Sequence, residues 1–309
     1  AETVVINMDV VNSPSVWHTL ARAGSGRPHG PGRSHGNGNG GSVEDAVEPR
    51  IMNFVWWNTS QFTHRVERAS LALSCALFPT FANSQRTAEE VREIVFSLTV
   101  PPLAERSQIE WSNLGIRLDH VQAREEPTVP VVLYPAIRLS ERKQPQLFLD
   151  VVERVRRRTP IQVEMRLEEA HLISERAISL SRKDWAWVGP LTATREDYYY
   201  RLARTTAFLA TATDESYGLE YVEAMVAGAI GVFPDRPWAR AILPDGYPYL
   251  YQDAAGAEAL LYKAVTDPAG CRRELDAMAG GDFVGWLRGR HDDTQFEDSF
   301  AGALHRWFG

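Results

Sequence analysis

The chain has 309 residues, of which 44% are hydrophobic and 24% are charged, and its formal net charge is −7. This length and apolar content suffice for one large hydrophobic core or for two smaller ones. The negative net charge provides no overall attraction to nucleic acid or to anionic membranes, although it leaves room for a local basic groove.

The cysteine content and the hydropathy of the chain indicate the cellular compartment of the protein. The two cysteines, Cys75 and Cys271, are far apart and lack metal-ligand spacing, which is typical of a reducing cytoplasm. The first residues predict a strand and not a secretory signal. No apolar run approaches the roughly 20 residues that a membrane span needs. We therefore expect a cytoplasmic protein with no integral membrane segment.

The first 125 residues predict one α/β domain. Strands are predicted at 4–11, 51–56 and 76–81. Helices are predicted at 13–23, which starts with Ser13 and Pro14, at 63–73, and after a Ser84 cap. Residues 24–42 are glycine-rich and polar and cannot bury a core, so we expect a flexible loop there.

A second α/β domain is predicted from 131 to 290, after a linker at 125–130 that contains two prolines and no periodicity. Strands are predicted at 131–135, 161–165, 185–188, 207–210 and 229–233, and helices at 144–158 and 196–205. This alternation is typical of a parallel sheet with helices on its faces. A final helix is predicted at 294–308, within a separate segment 291–309.

The segment 214–228 carries the strongest functional signal. It places Glu215 and Glu223 eight positions apart around a glycine turn that opens a helix. The first N–H groups of a helix attract anions, and Gly218 lets a phosphate approach them closely. Glu223, about one turn into the helix, can accept two hydrogen bonds from neighbouring sugar hydroxyls. The combination suits a nucleotide-sugar.

Residues 215–228, with the sequence ESYGLEYVEAMVAG, resemble the E-x7-E signature of retaining GT-B glycosyltransferases of the group 1 or family 4 type. The resemblance implies two Rossmann-like domains that face each other across a cleft, with the final helix crossing back to the first domain. It also implies transfer of a sugar, with retention, from a UDP- or GDP-sugar donor to an acceptor hydroxyl, without metal or other cofactor. Glu215 would position the sugar and Glu223 the ribose, with Tyr217, Gly218 and Leu219 binding the donor.

Two further elements of the second domain resemble the same family. Arg138 and Lys143 are spaced as in its G-R-L-x-x-E-K-G element, with Gln144 in place of the last glycine. The resemblance makes these two cations the groups that stabilise the leaving diphosphate. The strand end Gly189, Pro190 and Leu191 would contact the nucleobase through its backbone.

The resemblance makes the first domain, residues 1–125, the acceptor side of the protein, and this domain offers weaker signals. Ser13, at the start of the first helix, resembles the family's diphosphate-facing loop, although the usual double glycine is missing. His64 falls where related enzymes carry a histidine near the transferred sugar, and we count it among the catalytic candidates. Trp56 and Trp57 follow a strand and fit an acceptor pocket and an ordinary apolar contact equally well.

The acceptor and the exact reaction stay open at this point. Residues 234–251 are similar to the queuosine-tRNA mannosyltransferases, which implies a large acceptor such as a modified nucleobase in RNA or DNA. A hexosyltransferase is the favoured prediction. A GT-B-fold epimerase or phosphorylase would share the scaffold, and a non-catalytic nucleotide-sugar-binding protein would share the donor site.

Overall fold

A computed structural model of the chain describes residues 3–24 and 48–309. The chain divides into two compact units, the first formed by residues up to 112 together with 297–309 and the second by residues 113–296. Most of the predicted glycine-rich loop at 24–42, from residue 25 onward, lies outside the described residues.

Within the described residues, the first unit is built on a four-stranded parallel sheet in the order β1-β2-β3-β4. Its strands are β1 (Val4–Asn7), β2 (Arg50–Val55), β3 (Thr80–Ala82) and β4 (Ile109–Trp111). Its helices are α1 (Ser13–Gly24), α2 (Arg65–Leu77), α3 (Gln85–Leu98) and α4 (Pro101–Ala104). The predicted cap of α3 is confirmed, since the Ser84 hydroxyl accepts a 3.2 Å hydrogen bond from the Thr87 backbone.

The second unit contains a six-stranded parallel sheet in the order β10-β9-β8-β5-β6-β7. Its strands are β5 (Val131–Tyr134), β6 (Gln162–Leu167), β7 (Ala186–Pro190), β8 (Ala207–Leu209), β9 (Ile230–Pro234) and β10 (Leu250–Tyr251). Its helices are α5 (Pro145–Arg158), α6 (Glu169–Leu172), α7 (Glu175–Ser181), α8 (Arg195–Leu202), α9 (Leu219–Val226), α10 (Pro237–Ile242), α11 (Ala254–Thr266), α12 (Pro268–Met278) and α13 (Phe283–Arg290).

The last helix, α14 (Asp293–Phe308), begins in the second unit and joins the first from residue 297 onward. Its Phe300 ring meets the Phe54 and Phe81 rings edge-on, with centroids 6.1 and 5.1 Å apart. Arg50 donates a 2.8 Å hydrogen bond to the Phe308 carbonyl. These contacts confirm the prediction that the final helix returns to the first domain.

The boundary between the units differs from the predicted linker at 125–130. The structure places residues 113–130 in the second unit. Arg124 donates a 2.6 Å hydrogen bond to the Thr205 carbonyl, and the Glu125 backbone donates to Ala203 at 3.0 Å. Glu126 pairs with Arg272. Side-chain and irregular backbone hydrogen bonds hold this segment on the second unit. It therefore forms no long helix or strand, and its sequence shows no periodicity.

Several strand ends also differ from the sequence prediction. The strand predicted at 76–81 is β3, which starts only at Thr80 because residues 76 and 77 still belong to α2. β1 stops at Asn7 and not at residue 11, because the Asn7 side chain exchanges hydrogen bonds with the backbone of Asp9 and starts a turn. β7 continues through Gly189 and Pro190, which were predicted to follow the strand. Since β7 is an edge strand, the missing N–H of proline removes no bond to a further neighbour.

None of the helices within the described residues combines the length and the apolar character that a membrane span requires. Across residues 3–24 and 48–309, no group of three or more histidine, cysteine, aspartate or glutamate side chains is arranged to hold a metal ion.

Candidate functional site

The strand order of the second unit reverses between β5 and β8, since β6 and β7 follow on one side and β9 and β10 on the other. In open parallel sheets, ligands bind beyond the carboxyl ends of the strands at such a switch point. The loops after β5 and β8 meet here. Thr211 donates a 2.6 Å hydrogen bond to the Lys143 carbonyl, and the Thr213 backbone donates to Arg142 at 2.8 Å.

This meeting of loops gathers a lysine and two carboxylates. The Lys143 ammonium group donates hydrogen bonds to Glu215 and, at 3.1 Å, to Glu220 in the first turn of α9. The Tyr221 hydroxyl donates to the same Glu215 oxygen at 2.7 Å. We refer to Lys143, Glu215, Glu220 and Tyr221 as the lysine cluster. Lys143 and Glu215, which lie 72 positions apart, are thus direct partners.

Burial and charge act in opposite directions on the lysine cluster. Burial alone lowers the pKa of Lys143, but the Glu220 and Glu215 carboxylates outweigh it, so the pKa lies above its usual value. Burial, followed by repulsion from Glu220, raises the pKa of Glu215 despite the nearby ammonium group. The cluster therefore offers a firmly charged cation at the switch point, held between two acids that compete for it.

Gly218 precedes α9 in a left-handed backbone conformation, with φ of 91°. A Cβ atom at this position would lie 2.5 Å from the ring of Tyr221, so glycine is required for space as well as for conformation. Leu219 then begins the helix. The start of α9 lies directly beside the lysine cluster, because Glu220 and Tyr221 belong to its first turn.

Glu223 is buried, with 4% of its surface exposed, and three side chains of α8 donate hydrogen bonds to it. Arg195 and Tyr199 reach Oε1 at 2.6 and 3.3 Å, and Tyr198 reaches Oε2 at 2.9 Å. Burial and the Glu223 charge raise the pKa values of both tyrosines, so they remain donors at neutral pH. A carboxylate has about four acceptor positions, so one is left on Oε2.

Tyr217 is buried beneath the helix start and contacts His291, which lies between α13 and α14. The Tyr217 hydroxyl and His291 Nδ1 are 2.5 Å apart. Burial, followed by the charge of Arg290, lowers the pKa of His291 to about 4, so the imidazole is neutral at neutral pH. The side chain of Tyr217, predicted as a donor-binding group, is thus engaged inside the second unit.

Arg138 stands apart from the lysine cluster. Its guanidinium donates a 2.8 Å hydrogen bond to Glu168, which follows β6, and its side chain is 62% exposed. An exposed pair of this kind is held weakly. Arg138 therefore lies at the same edge of the sheet as Lys143, with a partner that it can release at little cost.

The strand end at Gly189, Pro190 and Leu191 lies at the same edge, after β7. The Pro190 carbonyl accepts a 3.3 Å hydrogen bond from Arg166, and Leu191 is 43% exposed. The Trp187 ring covers Gly189 so closely that a Cβ atom there would collide with it. Arg166 packs 4.3 Å from the centre of the Trp187 ring.

The two predicted site residues of the first unit occupy different environments. Ser13 is fully buried, and its hydroxyl donates to Asn53 at 2.5 Å and accepts from Asn7 at 2.6 Å. Its side chain therefore serves the interior of this unit. His64 immediately precedes α2 and is exposed.

Five contributors to the site were not predicted from the sequence: Glu220, Tyr221, Arg195, Tyr198 and Tyr199. The first two lie inside the motif itself, at positions that the signature leaves variable. The other three belong to the run Arg195–Leu202, whose two arginines and three consecutive tyrosines are an uncommon composition for a surface helix. This composition indicates a helix with a functional role, although it does not indicate that Glu223 is the partner of these side chains.

No family model matches the sequence, and no curated protein matches it either. Solved structures do match the fold. HepE from Anabaena, in complex with UDP and glucose, has a TM-score of 0.65 at 14% identity over 84% of this chain and 73% of that one. The lipopolysaccharide outer core galactosyltransferase WaaB has a TM-score of 0.63 at 14% identity, over 98% of this chain and 75% of that one.

A third match, TarM, has a TM-score of 0.60 at 13% identity and covers 84% of this chain, which spans only about half (51%) of TarM. At these identities the likeness concerns the fold. Together with the two parallel α/β units, it confirms the fold prediction: the chain has a GT-B-like fold built from two Rossmann-like units.

Proposed function

We propose that the protein is a retaining glycosyltransferase that moves a sugar from a nucleoside-diphosphate sugar to an acceptor hydroxyl. The observation that carries this proposal is the lysine cluster. It sets a charged ammonium group and a buried carboxylate at the start of α9, at the switch point of a parallel sheet. The E-x7-E resemblance supports it, as do the match to the galactosyltransferase WaaB and the match to HepE, whose structure holds UDP and glucose.

In the proposed donor complex, the diphosphate binds between Lys143 and the first turn of α9, which both favour negative charge. Lys143 exchanges a carboxylate partner for a phosphate oxygen, and Glu215, once released, accepts hydrogen bonds from the donor sugar. Arg138 turns from Glu168 to the leaving diphosphate. Because these cations stabilise the leaving group, the reaction requires no metal for that purpose.

Glu223 is proposed to hold the ribose. Its free acceptor position on Oε2 takes one ribose hydroxyl, and a second requires Arg195 to move away. Arg195 is able to do so, since its side chain is 53% exposed. The backbone after β7, at Gly189 and Pro190, is the proposed contact for the nucleobase.

The proposed transfer breaks the bond between the anomeric carbon and the diphosphate oxygen, which keeps the electron pair. The acceptor oxygen forms the new bond on the same face, and its proton passes to the departing diphosphate. Net retention follows without an enzyme nucleophile. Glu215 and Lys143 orient the two partners in this scheme and form no covalent bond.

The acceptor class cannot be taken from the resemblance of 234–251 to tRNA-modifying enzymes. Tyr247, Tyr249 and Tyr251 of that segment are buried, and their hydroxyls donate to Gly231, Glu274 and Ala210 at 2.8 Å each. These three hydroxyls therefore serve the interior of the second unit, whereas residues 234–236 of the same segment line a pocket at the edge of its sheet. A modified nucleobase remains one proposal for the acceptor, to be tested with RNA and DNA substrates beside glycans.

The proposal is tested by following UDP- and GDP-sugars by proton NMR with the wild-type protein and with Lys143→Ala. We expect slow release of free sugar, first as the donor's own anomer, and loss of most of this turnover in the variant. Lys183→Ala, at an exposed lysine paired with Glu153, is the control. An inverted first product would contradict retention. An epimerised donor would favour an epimerase. Turnover that depends on inorganic phosphate would favour a phosphorylase. Binding without any turnover would favour a non-catalytic protein.

A further inference from the structure

A pocket of about 400 Å³ opens beyond the carboxyl ends of β8, β9 and β10, beside the lysine cluster but lined by other residues. Gln144 and Leu147 form one wall at the start of α5, and Ala212 and Thr213 form the floor after β8. Residues 234–236 and 251–254 complete it. The volume lies in the range of about 300–1,000 Å³ that is usual for small-molecule sites.

Gln144 has an unusual backbone at the edge of this pocket. Its φ of 44° and ψ of 55° are left-handed, and among the described residues it is the one non-glycine with a positive φ. Glycine would adopt this conformation without strain, and the family element that this segment resembles has glycine here. The chain thus keeps a long amide side chain at a position that disfavours one, directly after Lys143.

The polar groups of the pocket suit a neutral ligand that carries several hydroxyls. The amide groups of Gln144 and Gln252 both donate and accept hydrogen bonds. Both carboxylates of the lining are engaged, since Asp235 accepts from Arg240 at 2.6 Å and Asp253 from the Gly256 backbone at 2.7 Å. Arg236 adds one exposed cation to this set.

The lining also contains apolar groups. Leu147 and Ala212 contribute aliphatic surface, and the Tyr251 ring adds an aromatic wall, because its hydroxyl is turned inward to the Ala210 carbonyl at 2.8 Å. A sugar ring presents hydroxyls at its edge and C–H groups on its faces, so it can use both the polar and the apolar groups of the lining. A phosphate would leave the apolar wall without a partner. A nucleobase would leave some of the amide groups without one.

We propose that this pocket binds a sugar unit of a carbohydrate acceptor. The inference rests on the proposed glycosyltransferase function, and it names the acceptor class. Thr213 is two residues from Glu215, and Gln144 adjoins Lys143, so a sugar in the pocket lies next to the groups proposed to hold the donor. Gln144 is then a residue that determines acceptor specificity.

The test uses saturation-transfer difference NMR with D-glucose, D-galactose, D-mannose and N-acetyl-D-glucosamine as probes. Three proteins are compared: wild type, Gln144→Gly and Gln144→Asn. Glycine relieves the backbone and removes the amide, whereas asparagine keeps an amide and tolerates the left-handed region. We expect at least one sugar to bind the wild type. We expect its affinity to fall about tenfold in Gln144→Gly and to fall less in Gln144→Asn.

The proposal is overturned if no probe binds the wild type, or if Gln144→Gly binds sugars as tightly as the wild type does. Displacement of the bound sugar by inorganic phosphate would also overturn it, by marking an anion site. Calorimetry with UDP and GDP separates this outcome from failure of the proposed function. Gln144→Gly should keep the wild-type affinity for the diphosphate, whereas Lys143→Ala should lose that affinity and keep sugar binding in the pocket.

Discussion

Arg195, the first residue of α8, donates a 2.6 Å hydrogen bond to Glu223 within α9. The acceptor is nearly fully buried, whereas the donor side chain is 53% exposed. The exposed partner thus compensates the charge of a buried carboxylate, together with the two tyrosine donors. This hydrogen bond joins two helices through residues that are 28 positions apart in the sequence. It also covers the carboxylate that is proposed to bind the ribose.

Arg195→Ala should lower the free energy of unfolding by about 1–2 kcal/mol, because it removes the cationic partner of a buried carboxylate while the two tyrosines remain. Urea unfolding at neutral pH measures the change. Arg201→Ala, on the same helix, is the matched control, since its guanidinium lies near the Trp187 ring and not near Glu223. Equal stability of the two variants would contradict the assigned role of Arg195.

Glu220→Gln should raise the affinity for a nucleoside diphosphate by about three- to tenfold. Glu220 competes for the Lys143 ammonium group at 3.1 Å, and it adds a negative charge where the diphosphate is proposed to bind. Calorimetry with UDP or GDP checks this expectation. Glu175→Gln neutralises an exposed acid in the first turn of α7 and serves as the control. Weaker binding by Glu220→Gln would place the phosphates elsewhere.

Gly218→Ala should lower the free energy of unfolding by about 1–3 kcal/mol, because it combines a left-handed backbone with a clash against the Tyr221 ring. Gly246→Ala is a matched control, since Gly246 has φ of 79° and nothing within 4 Å of an added Cβ. Gly246→Ala therefore introduces the same kind of backbone strain without a steric clash. Gly218→Ala should be the less stable variant, and it alone should lose diphosphate affinity. Identical losses of stability would contradict this account.

More of the fold than of the site could be predicted from the sequence. The apolar spacing of Leu147, Phe148, Val151, Val152 and Val155 predicts one face of α5; the last four are buried and Leu147 is partly buried. β4 was missed because a strand of three residues shows no clear alternation. The partners of Glu223 were missed for a different reason. A hydrogen bond between α8 and α9 depends on how both helices pack, and no local pattern encodes it.

The stability of the protein should fall as pH decreases from about 6.5 to about 4, in part because of His291. Burial lowers the pKa of this imidazole from 6.5 to about 4, so the unfolded chain binds the proton more tightly than the folded chain does. The gap corresponds to roughly 3 kcal/mol. Urea unfolding across this range should give a shallower pH dependence for His291→Gln than for wild type.

The surface variant His305→Gln is the control for this pH dependence, because His305 is exposed near the end of α14. It should follow the wild-type curve. Carboxylates also titrate in the lower part of the range, so the relevant quantity is the difference between each variant and the wild type. If His291→Gln and wild type lose stability in parallel, His291 is not the residue that couples folding to pH.

The second unit is proposed to bind a nucleoside diphosphate at Lys143 and the start of α9. A thermal-shift panel of UDP, GDP, ADP and TDP tests it most directly, because a ligand that binds the folded state raises the midpoint by mass action. We predict that one of the four raises the midpoint of the wild type and of Lys183→Ala but not that of Lys143→Ala. No shift from any nucleotide, or an equal shift in all three proteins, would contradict the account.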